Sequence, residues 1–431
     1  MLFKNVKTVD EHWNVLDNMY VGTKGAKITY IGKERPGYSL GTVYDGNGKF
    51  LLPGFYNTHC HVPMTLLRGQ GTALPLHRWL HEAIFPVEAK LTEDDIYYGA
   101  LLGILELLSS GVVSISDMYF RIPYYAKALE KAGIKGNLCN AVVAFDPEAS
   151  YFEDRSFQEL VELDRFCENT DGRIRSDVGI HSEYTTTEKT VREAAEYARE
   201  HQKIIQIHVS ETEKEQRECR ERHNGLTPTA YLKKCGVLDS KTVMAHCVYC
   251  DDEDLDIIRE AGAFPVHNIS SNLKLGSGIA HVDRWRKKGL PVTFGTDGAA
   301  SNNNLNFIEE LHLAAMVLTG AERNPELVNV PEVFFEASRN GALAQGREDC
   351  GLMKTGMRAD FVVFDLNRPH LIPCQDPLSN ILYSAQSSDV CMTVVDGRVV
   401  YKNGEFPGLD VERICYEVRT RQERLLKEAG F

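Results

Sequence analysis

The pattern of apolar and polar positions changes twice along the chain. Residues 1–54 contain short β-type runs broken by Gly, Asn and Asp, and such runs predict hairpins without a helix. From residue 55 onwards, strand-type runs alternate with segments of helical spacing. The tail returns to strands at 359–366 and 391–406, and a charged helix over 410–431 closes the chain. A central part is therefore flanked by two strand-rich ends.

The central part contains eight strand-plus-helix units. The segment from Thr92 to Ser110 illustrates the helices, because its apolar residues recur at helical spacing. Thr92 and Asp95 predict a capping box at its start, and Gly111 predicts its end. Such alternation implies parallel strands, and eight units in roughly 250 or more residues imply a closed (β/α)8 barrel of the TIM type. The predicted strands are 55–61, 112–116, 137–145, 177–182, 204–210, 242–248, 263–269 and 291–298.

The strands at the two ends cannot extend a closed barrel, so they need a layer of their own. We therefore predict an α/β chain with two domains. Residues 55–354 form the barrel. Residues 1–54 pair with 355–431 in a small β-sandwich, which carries the closing helix.

Side chains that bind metals stand at the predicted strand ends. Active sites in this fold lie at the carboxyl ends of the strands. A single histidine there is more often structural, but six histidines on one rim are not explained by chance and predict a metal site. The strand ends carry His59, His61, His181, His208, His246, His267 and Asp297.

A catalytic zinc takes about three or four N/O ligands and keeps a position for water. His59 and His61 share one face of the first strand because strand side chains alternate. We predict one divalent ion, zinc or iron, because no lysine ends the fourth strand to bridge a second ion. The predicted ligands are His59, His61, His208 and Asp297.

Two further polar residues are placed to act on water at such an ion. His246 is predicted to orient the water. Glu211 follows the ligand His208 just past the strand end, where a carboxylate can take the proton of the water and pass it to a substrate. Glu213 and Glu215 belong to the same segment, VSETEKE, and for these two the interpretation as solvated loop acids is stronger.

Composition narrows the partners and the compartment. With 43% apolar and 25% charged residues among 431, the chain is an ordinary soluble protein. A net charge of −13 argues against a nucleic-acid polymer, although not against a single nucleoside. No apolar stretch can cross a membrane and the amino terminus lacks a signal-peptide pattern. Eleven cysteines favour reduced thiols. We predict a cytoplasmic protein.

Five motifs together resemble the amidohydrolase superfamily. They are LPGFYNTHCHVPMTLLRG (52–69), IHVSET (207–212), AHCV (245–248), HNISSNLKLGSGIA (267–280) and GTDGAASNNNLN (295–306). Within it they are most similar to the methylthioadenosine/S-adenosylhomocysteine deaminase branch of the triazine-hydrolase (ATZ/TRZ) group, over essentially the whole chain. The resemblance implies hydrolytic deamination of an adenine nucleoside. Metal-activated water would attack adenine C6, His246 and Asp297 would orient it, Glu211 would protonate the ring nitrogen, and ammonia would leave.

The resemblance also implies substrate contacts. Trp79 and Glu88 match positions that face the nucleoside, with Glu88 on the ribose hydroxyls, and His181 matches a histidine near the base and sugar. Asn140 stands where the family has an arginine for an amino-acid tail, and Arg155 corresponds to a second arginine. Loss of a guanidinium removes a carboxylate clamp. Methylthioadenosine, 5'-deoxyadenosine and adenosine are therefore favoured over S-adenosylhomocysteine.

Two alternatives stay open from the sequence. A related hydrolase could act on another ring, such as guanine, a pterin or a triazine, but a free base offers no ribose diol to Glu88. A non-catalytic barrel scaffold is the second alternative, and the complete ligand set with Glu211 argues against it. The number of subunits is also left open, a homo-oligomer included.

Overall fold

A computed structural model describes residues 1–431. Its strands are β1 Leu2–Val9, β2 Val15–Lys24, β3 Lys27–Gly32, β4 Val43–Asp45, β5 Lys49–Pro53, β6 Phe55–Cys60, β7 Val112–Met118, β8 Lys135–Cys139, β9 Ala141–Val142, β10 Ile174–Ser176, β11 Val178–Ile180, β12 Ile205–Val209, β13 Thr242–His246, β14 Phe264–His267, β15 Thr293–Phe294, β16 Phe361–Asp365, β17 Val390–Val395 and β18 Arg398–Lys402.

The helices lie mostly between the central strands. They are α1 Leu76–Trp79, α2 Phe85–Glu88, α3 Glu93–Ser109, α4 Ile122–Ala132, α5 Arg155–Cys167, α6 Glu188–Glu200, α7 Glu213–Arg222, α8 Pro228–Lys234, α9 Asp252–Ala261, α10 Ile269–Leu275, α11 Val282–Lys287, α12 Ala299–Asn302, α13 Phe307–Glu322, α14 Val330–Phe335, α15 Gly341–Ala344, α16 Pro377–Ser384 and α17 Val411–Ala429. No helix has the length and apolar character to cross a membrane.

The central strands pair in parallel and nearly in chain order. One group runs β6-β7-β8-β10 and the other β9-β11-β12-β13-β14-β15. Asn140 alone separates β8 from β9, and Asp177 alone separates β10 from β11, so each of these pairs continues one strand direction. The Asp297 N–H donates to the His59 carbonyl over 3.0 Å, which links the chain after β15 back to β6. The predicted alternation of strands and helices is confirmed.

The two ends of the chain share a sheet. Strand β5 pairs antiparallel with β16, which pairs with β17, and β17 pairs with β18. Strands β1, β2 and β3 form an antiparallel set that joins β5 through one parallel pair, Lys7 and Phe50. The closing helix α17 packs on α3, where Arg424 lies 2.5 Å from the buried Asp95 carboxylate. This sheet is built from segments far apart in sequence.

A buried ionic network connects the central strands to this terminal sheet. The Lys135 side chain on β8 is only 2% exposed, and its Nζ lies 2.5 Å from Asp360 Oδ2. The same Nζ lies 2.8 Å from Asp396 Oδ1. The Tyr56 hydroxyl donates to Asp360 Oδ2 over 2.8 Å. The sequence analysis began this strand at 137, two residues after its observed start at Lys135.

Candidate active site

Three strand ends bring the four predicted metal ligands to one point. The rings of His59 and His61 point to the same side of β6, with centroids 4.8 Å apart. His208 on β12 places its Nε2 3.3 Å from His61 Nε2. Asp297, just after β15, places Oδ1 3.2 Å from His61 Nε2 and 3.6 Å from His59 Nε2. Three imidazole rings therefore face a common centre, with the Asp297 carboxylate beside His59 and His61.

The other side of each ligand is held by hydrogen bonds. His61 Nδ1 lies 2.6 Å from the Met118 carbonyl and His208 Nδ1 lies 2.7 Å from the His181 carbonyl. A carbonyl only accepts, so both Nδ1 atoms carry the proton and both Nε2 atoms remain available as ligands. On Asp297, Oδ2 accepts the hydroxyls of Ser271 and Ser301, over 2.5 and 3.0 Å, which leaves Oδ1 to the centre.

The donor set fits a divalent ion of the zinc type. Ligand atoms about 2.0–2.1 Å from a tetrahedral centre stand about 3.4 Å from one another. The distances from Asp297 Oδ1 to His59 and His61, and from His208 Nε2 to His61 Nε2, run from 3.2 to 3.6 Å. His59 Nε2 is buried and has no hydrogen-bond partner in the protein. A buried polar nitrogen without a partner is costly, and a bound ion provides the missing interaction.

Burial and close contact set the protonation of these groups. Burial lowers the pKa of His59 to about 4 and takes the pKa of His208 well below its usual value. Burial alone would raise the pKa of Asp297, but the adjacent imidazoles of His59 and His61 hold it well below the usual range. Burial also opposes charge on His61, yet Asp297 raises its pKa to about 9. An incoming ion therefore has to displace one proton, on His61.

Glu211 and His246 lie beside this centre. Glu211 is 6% exposed, and its Oε1 accepts the Ser277 hydroxyl over 2.9 Å. Its Oε2 lies 3.8 Å from His246 Nε2. Asn272 Oδ1 lies 2.8 Å from His246 Nδ1 and orients the ring. Burial raises the pKa of Glu211, which makes the carboxylate a better proton acceptor.

Two of the predicted nucleoside contacts lie near the cluster and one lies within its own loop. Glu88 accepts the Tyr119 hydroxyl over 2.7 Å, and desolvation raises its pKa to about 7. The His181 ring centroid is 4.9 Å from that of His208. Trp79 is 4% exposed and its indole N–H donates to the Gln70 carbonyl over 3.1 Å, so it packs inside the 70–83 loop.

Asn140 and Arg155 meet at a carboxylate that the sequence prediction missed. Glu159 Oε2 accepts the Asn140 side-chain amide over 3.0 Å, and Glu159 Oε1 accepts Arg155 Nε over 2.7 Å. Glu159 is 6% exposed. The four-residue spacing of Arg155 and Glu159 on α5 was the available sequence signal. Arg155 is therefore already paired with an acid of the chain.

His267 differs from the other strand-end histidines. Its ring lies 6.1 Å from the ring of Trp285 and 6.2 Å from that of Phe294, against the surrounding helices. Phe264 and Val266 on the same strand pack in a separate inner cluster. Side chains alternate along a strand, so His267 falls on the opposite face from Val266. The prediction that His267 joins the rim was wrong.

Glu215 also differs from its predicted state. Glu213 is exposed as expected for a loop acid, whereas Glu215 is 5% exposed. Its carboxylate accepts the backbone N–H groups of Ser210 and Glu211, over 2.7 and 2.8 Å. Glu215 lies four residues after Glu211, in the first turn of α7. Apart from this position, nothing in the sequence indicates that its side chain is buried.

A sequence profile described as the amidohydrolase family matches residues 50–400. The chain belongs to the amidohydrolase family. This amidohydrolase is 39% identical over 431 residues to the 5-methylthioadenosine/S-adenosylhomocysteine deaminase of Thermoanaerobacter pseudethanolicus, covering 99% of each chain. It is 42% identical over 371 residues to the 5'-deoxyadenosine deaminase of Methanothermobacter thermautotrophicus, covering 86% of each.

Solved structures share the fold of this amidohydrolase. An adenosine deaminase from Xanthomonas campestris with bound zinc superposes with a TM-score of 0.93, at 25% identity, over 99% of this chain and 98% of the other. The atrazine chlorohydrolase of Arthrobacter aurescens superposes with a TM-score of 0.88, at 22% identity, over 98% of this chain and 99% of the other. The second likeness concerns the fold alone.

Proposed function

We propose that this amidohydrolase is a metal-dependent deaminase that hydrolyses the 6-amino group of an adenine nucleoside and releases the inosine analogue and ammonia. The observation that carries the proposal is the grouping of three imidazoles, with the Asp297 carboxylate beside His61 and Glu211 beside His246. The names of the full-length relatives support an adenine nucleoside as the substrate. The zinc in the adenosine deaminase of similar fold supports zinc over iron.

In the proposed reaction the protein holds the reactants and transfers protons. A divalent ion would be held by His59, His61, His208 and Asp297 and would supply a Lewis acid that lowers the pKa of water. Glu211, with Oε1 fixed by Ser277, uses Oε2 to take a proton from that water and to deliver it to the ring nitrogen beside C6. His246 faces the same space and orients the attacking oxygen. The oxygen of the water adds at C6 and one of its protons goes to the ring nitrogen. The remaining hydroxyl proton then passes to the amino group, the C6–N bond breaks, and ammonia leaves as the C6 carbonyl forms.

The sugar is proposed to lie against the ends of β7 and β11. Glu88, oriented by the Tyr119 hydroxyl, accepts the ribose hydroxyls. His181 contacts the base and sugar, next to His208. Trp79 contributes an apolar wall from the 70–83 loop. A free base lacks the diol that Glu88 would bind, so this arrangement favours a nucleoside over guanine, a pterin or a triazine.

The 5'-substituent is proposed to be uncharged. Asn140 and Arg155 occupy the place of a carboxylate clamp, but both already bind Glu159. A substrate carboxylate would have to compete with this buried acid for Arg155. Methylthioadenosine, 5'-deoxyadenosine and adenosine therefore fit better than S-adenosylhomocysteine.

A panel experiment tests the proposed function. The zinc-loaded protein is incubated separately with methylthioadenosine, 5'-deoxyadenosine, adenosine, S-adenosylhomocysteine and guanine, and ammonia release is measured. We expect ammonia from the adenine nucleosides and none from guanine. Ammonia release from guanine alone would favour a related hydrolase that acts on another ring. No ammonia release from any adenine nucleoside would refute the proposal.

We also infer the finer architecture that was expected from the sequence. The central strands over 55–354 would close into a (β/α)8 barrel, which is supported by the parallel pairing and the Asp297-to-His59 bond. Residues 1–54 with 355–431 would form the small β-sandwich domain, which is supported by the pairing of β5 with β16. The cytoplasmic location and the subunit number stay predictions.

A further inference from the structure

Glu215 holds the backbone from which Glu211 projects. It lies in the first turn of α7, and each of its two carboxylate oxygens accepts a backbone N–H at the end of β12. Oε1 accepts Ser210 N–H over 2.7 Å and Oε2 accepts Glu211 N–H over 2.8 Å. Hydrogen bonds to an ionised acceptor are among the stronger ones in proteins. The strand end and the helix start are thus fastened to each other.

This contact is not an ordinary helix cap. Thr212 is the N-cap residue, and its hydroxyl accepts the Glu215 N–H over 3.2 Å. In a capping box the acidic side chain would return to the N–H of the cap residue itself. Glu215 instead reaches past Thr212 to the two preceding residues. Its carboxylate therefore binds the backbone at the end of β12 and does not cap α7.

The backbone that Glu215 holds is in an unfavourable conformation. Ser210 has φ of +52°, in the left-handed region that non-glycine residues seldom adopt. Such a conformation persists where the surrounding structure fixes it. The Ser210 hydroxyl is buried without a partner, so its side chain does not stabilise this turn. The bond to Glu215 provides that stabilisation.

The position of the Glu211 carboxylate depends on this turn. Ser277 fixes Oε1 and the backbone is fixed by Glu215, so the place of Oε2 near His246 follows from both. A misplacement of about 1 Å can cost about 10²-fold in rate. We propose that Glu215 is a positioning residue for the proton transfer by Glu211. The proposal rests on the proposed function, because it assigns to Glu215 the accurate placement of Glu211 for the proton transfer.

The test compares Glu215→Gln with Glu213→Gln. Both variants remove an acid from the first turn of α7, but Glu213 is exposed. A glutamine at 215 keeps the volume and offers one acceptor oxygen, so one of the two N–H groups loses its partner. We expect kcat of E215Q to fall about 10- to 100-fold, in line with other supporting residues. KM should stay within about threefold, one metal per chain should remain, and E213Q should match the wild type.

Hydrogen exchange supplies a readout that needs no substrate. In E215Q the amides of residues 210 and 211 should exchange faster, with the rest of β12 unchanged. This measurement decides whether the contact exists even if no adenine nucleoside is deaminated, an outcome that would refute the proposed function alone. Unchanged exchange would overturn the contact. Faster exchange with unchanged kcat, or a fall in kcat that parallels a loss of metal, would overturn the positioning role.

Should E215Q not yield folded protein, Glu215→Asp is measured in its place. The aspartate keeps the charge but is one methylene shorter, so it cannot reach both N–H groups. The same fall in kcat and the same faster exchange are expected. Wild-type values for both would overturn the proposal.

Discussion

Replacement of Lys135 by methionine should destabilise the fold strongly, because it leaves buried carboxylates without their cation. Lys135 Nζ contacts Asp360 and Asp396 at 2.5 and 2.8 Å, and the Lys135 and Asp360 side chains are only 2% and 1% exposed. Methionine fills a similar volume, so the packing is largely kept. Breaking a buried pair by removing one partner costs about 3–5 kcal/mol.

The length of the chain converts this free-energy cost into an expected change of the melting temperature, Tm. At about 2.1 cal/mol/K per residue, unfolding the 431-residue chain changes the free energy by about 0.9 kcal/mol per degree near the midpoint. Lys135→Met should therefore lower Tm by about 3–6 °C. The exposed Lys33 provides the control, since Lys33→Met should stay within about 0.5 kcal/mol.

The loss of stability caused by Lys135→Met should depend on pH. Burial alone would raise the pKa of Asp360, but Lys135 and the hydrogen bonds to the carboxylate lower it. A carboxyl whose pKa is lowered by folding stabilises above its unfolded pKa of about 3.9 and loses this contribution as the pH falls. In Lys135→Met the cation is gone and burial raises the pKa of Asp360, so the stability gap between wild type and Lys135→Met should be larger at pH 7 than at pH 4.

The assay is thermal unfolding followed by circular dichroism at pH 7 and pH 4, in a double-mutant cycle with Asp360→Asn. The losses of stability caused by Asp360→Asn and by Lys135→Met should not add, because both substitutions remove the same interaction. A Tm within 1 °C of the wild type (about 0.9 kcal/mol), or additive losses, would refute the reasoning.

The remaining predictions concern the site. Glu211→Gln should keep the wild-type metal content while ammonia release falls by about 10²-fold or more; retained turnover would remove Glu211 from its role. Glu88→Gln should lower kcat/KM for adenosine about tenfold, but change little for 2',3'-dideoxyadenosine; equal losses would contradict the ribose contact. Methylthioadenosine should exceed S-adenosylhomocysteine in kcat/KM by about tenfold, and equal values would contradict the pairing argument at Glu159. Chelation should lower Tm and zinc should restore it, by about 2.7 kcal/mol at 100 times Kd; a Tm insensitive to chelator would argue against a resident ion.

The helices were predictable where their ends are encoded locally. Helix α3 (Glu93–Ser109) lies within the predicted segment from Thr92 to Ser110, and Thr92 forms the predicted capping box with Asp95 at its start. Within residues 1–54 the sequence predicted strands, but two irregularities in the pairing of β1 with β2 break the alternation of apolar residues. Asn5, with φ of +57°, marks one of them.

The site was predictable where topology alone sets the position. Every strand of a parallel α/β fold ends at the same edge, so His59, His208 and Asp297 were expected to meet. Side chains alternate between the two faces of a strand, so an error of one residue in the predicted register places a strand-end residue on the wrong face. The His267 side chain lies on the face that packs against the surrounding helices. Buried charges could not be foreseen, because their partners are distant in sequence or, as for Glu215, are backbone groups.

The pairing of β5 with β16 has a consequence for the nascent chain. Strand β5 ends at Pro53 and β16 begins at Phe361, about 300 residues later. At about 5–20 residues per second, the ribosome takes roughly 15–60 s to deliver the partner. During that time Phe50, Leu51 and Leu52, which are fully buried in the finished fold, have an uncovered edge. Protection of this edge during synthesis, by a chaperone or by early packing of the central strands, should therefore govern the yield of folded protein.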